Sequence, residues 1–446
     1  MASAALNVAI CRAFAALLAL ALTLVATVGQ AVTLLRDPDI ERGLTELARP
    51  ILLAAGLSPS TTRIILIRDS SLNAFVLDSR AIYIHSGLVL RLDTAAQLQS
   101  VIAHEAAHIA NNHFSRRLAN LRNANRLTGL GIALAVAATA GGAPGGAAAG
   151  LAAGAAGSAQ RNFFAHTREE EAAADQSGIR YLLAAGVPTK GAIELLDLFR
   201  GQETLSPNRR DPYASTHPLT ADRYRALAAF VTANPGPATN NAVNAAWFAR
   251  VKAKLSAFTR APSWTLRRAE GDSDLDIMAR AIAYHRTPDV AKAIDEIAKL
   301  VTRRPGDPYY RELQGQILLE SRRIGPAVQA YRTAVEVAPG NALILAGYGR
   351  ALLAQNTPNS NREALRVLQD ARARDARSGA TLRDLGQAFA RAGQVGMASL
   401  TAAERAALRG RLDDAALHAG RAATALPRGS TGWQRAQDIL RDTDRN

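Results

Sequence analysis

His104-Glu105-Ala106-Ala107-His108 lies inside an apolar-periodic run, and its reading decides how the rest of the chain is understood. Residues four apart stack on one face of a helix, so both imidazoles can reach a single metal ion while Glu105 points beside it. This is the arrangement of a zinc peptidase, with Glu105 as the group that moves the proton. The alternative, two surface histidines and an ordinary helical glutamate, would have to arise by chance in a chain with 8 histidines among 446 residues.

A catalytic zinc takes three protein ligands and keeps one position open. Phe114 stands where a third histidine of the extended motif would fall. His113 is about 140° around a continuing helix from His108, so it reads as a solvated or core residue. From Ile109 to Arg168 there is no Asp or Glu, and the first carboxylates to appear are Glu169, Glu170 and Glu171, then Asp175. Glu171 and Asp175 share a helix face, and the three alanines between them let that helix approach the first. Glu171 is the candidate third ligand. Asp175 suits the ring nitrogen that a metal-bound histidine turns away from the metal.

The strands are short. Arg63 to Arg68, Ala74 to Leu77 and Ala81 to His85 are β-branched and aromatic runs bounded by polar breaks. Thr94 and Gln97 predict a capping box for the metal helix, which is expected to run to about Asn120. Between Arg126 and Arg161 come 34 residues without a charge, rich in Ala and Gly. The apolar half of this stretch is too short to cross a bilayer, so residues 127–160 are expected to form a lid or a membrane-facing excursion.

The first 31 residues read as a signal peptide, with an apolar run from Ala13 to Val28 and a small-residue cleavage site near Gly29 to Ala31. The single cysteine, Cys11, precedes that run, so disulfides, a thiol nucleophile and cysteine-bound zinc are all excluded from an exported chain. The formal net charge of +15 comes mainly from arginine scattered among acids, with five lysines, which argues for contact with anionic surfaces and against nucleic acid.

From Asp274 a period of 34 residues appears in Ala281, Gly315 and Gly349, in Ala293 and Ala327, and in Pro305 and Pro339, with Tyr331 and Ala334 at packing positions between. This is the tetratricopeptide pattern, about four helix pairs and a capping helix near Trp433 to Leu440. Such solenoids bind peptides or proteins in a concave groove. The expected architecture is an α+β zincin-like metallopeptidase domain over residues 32–262, followed by an all-α tetratricopeptide solenoid over residues 263–446.

His104-Glu105-Ala106-Ala107-His108, then Arg168-Glu169-Glu170-Glu171 with Asp175, then Ser215-Thr216-His217-Pro218-Leu219 with Arg223, together resemble the BepA (YfgC) group of periplasmic zinc metallopeptidases. The similarity extends upstream through Leu72-Asn73-Ala74-Phe75 and Ala81 to Leu88, and downstream into the repeats. It implies one zinc per chain held by His104, His108 and Glu171. His217 is implied as a fourth ligand that can hold the enzyme latent, and Arg223 as an oxyanion stabiliser close by. His217 is expected in a loop, just before a helix carrying Arg223 in its second turn. An extended substrate is expected to pair with the edge strand at Asn73, Ala74 and Phe75. The implied function is periplasmic quality control of outer-membrane protein assembly, acting on unfolded or misassembled proteins, with the repeats contacting the assembly machinery. The alternative is a chaperone or assembly adaptor with a largely latent site.

Overall fold

A computed structural model describes residues 33–113, 168–205 and 209–444. The expected leader, residues 1–31, and the expected excursion, residues 127–160, lie outside the described residues. No described helix is long and apolar enough to cross a membrane.

The first elements are β1 (Leu34–Leu35) and α1 (Pro38–Ala54), followed by β2 (Arg63–Ile67), β3 (Ala74–Asp78) and β4 (Ala81–His85). They form a mixed sheet in the order β1-β2-β4-β3. β2 and β4 are parallel, with Ile64 opposite Ile82, while β3 pairs antiparallel with β4 and carries a bulge between Val76 and Asp78. β3 is therefore an edge. The two-residue β1 was not legible as a strand in the sequence.

β4 runs directly into α2 (Ser86–Arg91), and the capping box of Thr94 and Gln97 then starts α3 (Ala95–Ala110) as expected. Every residue of α3 from Ala95 to Ile109 is buried. The helix packs against β3, β4, α1, α4 (Arg168–Ala184) and α5 (Lys190–Asp197), so its metal motif sits in a rigid centre. α3 ends well before Asn120, because Asn112 takes φ 56°, a left-handed conformation that asparagine tolerates and that stops a helix.

Next come α6 (Pro212–Thr216), α7 (Ala221–Ala233), α8 (Ala242–Thr259) and α9 (Pro262–Leu266). α8 serves two cores. Phe248, Val251 and Leu255 belong to the core under the sheet and α3, while Ala257 belongs to the first core of the helical half. The expected division at residue 262 thus falls just after a helix that both halves share.

The remaining described helices are α10 (Asp274–Arg286), α11 (Val290–Arg303), α12 (Pro308–Glu320), α13 (Ile324–Val337), α14 (Ala342–Gln355), α15 (Pro358–Arg374), α16 (Gly379–Arg391), α17 (Val395–Ala407), α18 (Leu412–Ala425) and α19 (Thr431–Asp444). They stack as consecutive pairs, an all-α tetratricopeptide-like solenoid. The recurring glycines are explained by packing: a Cβ on Gly315 would come within 2.7 Å of the Tyr331 ring, and one on Gly349 within 2.5 Å of Leu368. The last helix is not a lone cap. It pairs with α18, burying Ala422 and Ala436 together with Leu400.

Candidate metal centre

α3 and α4 supply the floor of the site. Glu171, Ala174, Asp175 and Gly178 follow the i, i+3, i+4, i+7 spacing of one helix face. The close approach to α3 is made by Ala174 and Gly178, since a Cβ on Gly178 would lie 3.4 Å from the His104 backbone nitrogen. Ala172 and Ala173, two of the alanines that the sequence suggests for this contact, are exposed.

His104, His108, Glu171 and His217 are all buried, and one donor atom from each lies within 4.8 Å of the others. His104 Nε2 is 3.0 Å from His108 Nε2 and 3.3 Å from His217 Nδ1. Glu171 completes the group, with Oε2 3.4 Å from His104 Nε2, and Oε1 3.4 Å from His108 Nε2 and 3.0 Å from His217 Nδ1. Nitrogen lone pairs and carboxylate oxygens converging on one point make a set that can hold a metal ion.

Each ligand is held from behind. Asp175 Oδ1 lies 3.0 Å from His104 Nδ1, which keeps that nitrogen protonated and turns the Nε2 lone pair inward. His108 Nδ1 is 2.9 Å from His113 Nδ1. His113 is core, as one of its expected readings had it, and it supports a candidate ligand because the turn at Asn111 and Asn112 brings it back against His108. Tyr213, unflagged in the sequence, is buried with its ring 4.6 Å from that of His217 and 4.8 Å from that of Phe199. The only sequence signal for it is an aromatic four residues ahead of the histidine.

His217 caps the C-terminus of the short helix α6, and Thr220 caps α7, so Arg223 falls in the first turn of α7 and not in its second. His217 Nε2 faces Glu105 Oε1 at 3.3 Å and the Ala74 carbonyl of the edge strand at 3.4 Å. Arg223 does face the site. Its Nε donates to Asp175 Oδ2 at 2.7 Å and Nη2 to Oδ1 at 2.9 Å, while Nη1 lies 2.7 Å from Glu171 Oε2. The guanidinium is thus engaged with two carboxylates and also donates to the carbonyls of His217 and Pro218. Of the expected edge-strand residues, Ala74 and Phe75 lie in β3, and Asn73 precedes it with its side-chain oxygen buried.

Charge in the centre is distributed unevenly. Burial opposes a proton on His104, but Asp175 and Glu171 on its two nitrogens outweigh it and raise its pKa to about 10, so a metal ion gains the Nε2 lone pair by displacing the proton there. His108 has a histidine on Nδ1, and burial together with its cationic neighbours pushes it down to about 3. Burial would raise Glu171, yet His217, Arg223 and His104 hold it well below the usual carboxylate range. Burial and the nearby Glu105 keep Tyr213 a neutral phenol.

Comparison with known proteins places this centre in a class. Residues 34–231 match the sequence profile of peptidase family M48, so this part of the chain is similar to the metallopeptidases of that family. The Beta-barrel assembly-enhancing protease of Escherichia coli is 26% identical over 194 residues, covering 43% of this chain and 38% of that protein. The protein of the same description from Yersinia pestis is 23% identical over 190 residues, again 43% and 38%. The chain thus matches 38% of the length of these relatives. Among solved structures, MamA from Desulfovibrio magneticus is 18% identical with a TM-score of 0.32, over 37% of this chain and 95% of that chain. A tetratricopeptide protein from Thermus thermophilus is also 18% identical, with a TM-score of 0.28, over 38% and 99%.

Proposed function

We propose that the chain is an exported zinc endopeptidase of unfolded or misassembled proteins, acting in the periplasm on outer-membrane protein assembly, with the solenoid as a docking module for substrate or assembly partners. The observation that carries this is the convergence of His104, His108, Glu171 and His217 beside Glu105 and the β3 edge. The separations of 3.0 to 3.4 Å in five of the six ligand pairs are close to the edge of about 3.3 Å of a tetrahedron with bonds of about 2.0–2.1 Å, which zinc prefers. Zinc, when bound, supplies Lewis acidity at the scissile carbonyl.

The residues of the chain do the rest. Glu105 takes a proton from the attacking water and delivers it to the leaving amine. Asp175 fixes the His104 tautomer, and His113 does the same for His108. Arg223 balances Glu171 and Asp175, which favours a positioning role over the oxyanion role that the resemblance implies. The β3 edge holds an extended peptide by main-chain hydrogen bonds. His217 lies where that peptide and the attacking water must come, so it acts as a brake. That position also supports the second reading, an adaptor whose site is mostly latent.

The test is metal analysis and cleavage of an unfolded outer-membrane protein by the full chain, by Glu105→Gln and by His217→Ala. Glu105→Gln is expected to retain metal and lose about 10²- to 10⁴-fold in cleavage rate. His217→Ala is expected to retain metal and cleave faster. Equal turnover in all three at full metal occupancy would reject both the proton carrier and the brake.

A further inference from the structure

Beside the start of the edge strand lies a cavity of about 720 Å³ that the peptidase reading leaves unused. Its walls are the β2–β3 loop, α2, the end of α8 and the end of α10. Four arginines, Arg68, Arg91, Arg260 and Arg286, face two carboxylates, Asp69 and Asp93. Both acids are engaged. Asp69 accepts the Ser71 N–H at 2.8 Å and lies 3.7 Å from His85 Nδ1, while Asp93 is 3.6 Å from Lys252 Nζ.

None of the four arginines has a carboxylate within ion-pair distance among the described residues. Arg286 donates to the carbonyls of Ala257 and Arg260, which fix its side chain but leave its charge uncompensated. The Arg260 guanidinium lies 5.7 Å over the Trp264 ring. Other arginines of the chain are treated differently: Arg36, Arg223, Arg250 and Arg372 each meet carboxylates directly.

The cavity adjoins the metal centre through Leu72. This residue lines the cavity, and its carbonyl accepts the N–H of Tyr213 at 3.1 Å, whose ring lies against His217. β3 begins two residues later at Ala74. At about 3.3 Å per residue, a chain paired along β3 and continuing past Ala74 reaches the arginines after roughly two to four residues.

We propose that this cavity is a substrate subsite for carboxylate side chains, selecting acidic residues a few positions from the scissile bond. The proposal rests on the peptidase reading above for its place beside the reaction, but its charge complementarity can be measured without catalysis. The probe is a pair of fluorescein-labelled peptides of equal length, one carrying an Asp/Glu block and the other Asn/Gln at the same positions. Their binding to the full-length Glu105→Gln chain is followed by anisotropy.

The acidic peptide is expected to bind at least about tenfold tighter, with the preference shrinking as salt rises. Arg68→Glu with Arg91→Glu, two exposed positions, should abolish the preference with an unchanged circular dichroism spectrum. Equal affinity for the two peptides, a preference that survives the double variant, or tighter capture by anionic vesicles than by the acidic peptide would each overturn the proposal. Cleavage of unfolded protein by wild type is scored separately. An acidic preference without any cleavage sinks the peptidase reading and leaves the subsite, whereas cleavage without an acidic preference does the reverse.

Discussion

At the metal centre, the carboxylates of Glu105, Glu171 and Asp175 lie among histidines whose ring nitrogens face them at 3.0 to 3.4 Å. Where α1 and α8 meet the solenoid, Asp39, Lys254 and Glu312 are buried with no histidine beside them. In the first group lone pairs converge on one point, which is what a cation needs. In the second, cations and carboxylates alternate across an interface: Lys254 Nζ is 2.9 Å from Asp37, Arg250 is 2.7 Å from both Asp39 and Asp307, and Arg36 is 2.6 Å from Asp375. Burying charge is costly in either place. One cluster offsets the cost by chemistry at a point, and the other by fixing how two layers of helices register.

The largest effects are expected at the centre. Glu171→Gln should weaken zinc retention by more than about a hundredfold, because a neutral amide is a far poorer ligand than a carboxylate. Glu169→Gln should retain wild-type affinity, since Glu169 is exposed. His113→Ala and Asp175→Asn remove only what stands behind the ligands, so losses of about 10- to 100-fold are expected. Chelator competition on the purified chains gives all four numbers. Metal loss on Glu169→Gln with retention on Glu171→Gln would move the convergence point and undo the contrast.

At the junction the readout is stability. Lys254→Met leaves Asp37, Asp39 and Glu312 without their shared cation, and removing one partner of a buried ion pair costs about 3 to 5 kcal/mol. Zinc affinity should not change, because Lys254 touches none of the metal-site residues. Denaturant unfolding of wild type and variant measures the first, and chelator competition the second. A variant as stable as wild type would mean that the junction charges do not set the register.

What could be read in advance follows the same division. The metal helix was legible because its signals are local: a capping box from Thr94 to Gln97 and two histidines one turn apart. Glu171 was legible because the chain carries no acid between Ile109 and Arg168. His113 was legible as a core residue in one of its two readings, but its contact with His108 was not, because that reading continued α3 as a helix whereas Asn112 turns the chain. The solenoid announced itself by period, and its last helix was legible near Trp433 to Leu440, though as a cap and not as the partner of α18. The junction gave no signal, since Arg36 and Asp375 are 339 residues apart and only the folded chain makes them neighbours. The unpaired arginines near Leu72 were hidden too, because a scattered excess of arginine does not reveal which ones lack partners.

The smallest expected effect is the most informative about the junction. Burial pushes the Glu312 carboxyl up from 4.5 to about 8, with Lys254 working against the shift and Asp37 and Asp39 adding to it. A carboxyl whose pKa is higher in the folded state binds more protons folded than unfolded. Its stabilising contribution is therefore complete below about pH 4.5, is lost as pH rises toward 8, and is flat beyond. Glu312→Gln mimics the protonated form at every pH. The variant should match wild type near pH 4.5 and become progressively more stable than it up to pH 8, by on the order of a few kcal/mol at most. Melting temperatures across that range decide the matter. A variant less stable than wild type at pH 8 would mean that Glu312 is ionised and sustained by Lys254, as Glu171 is by Arg223, and the two clusters would then follow one rule.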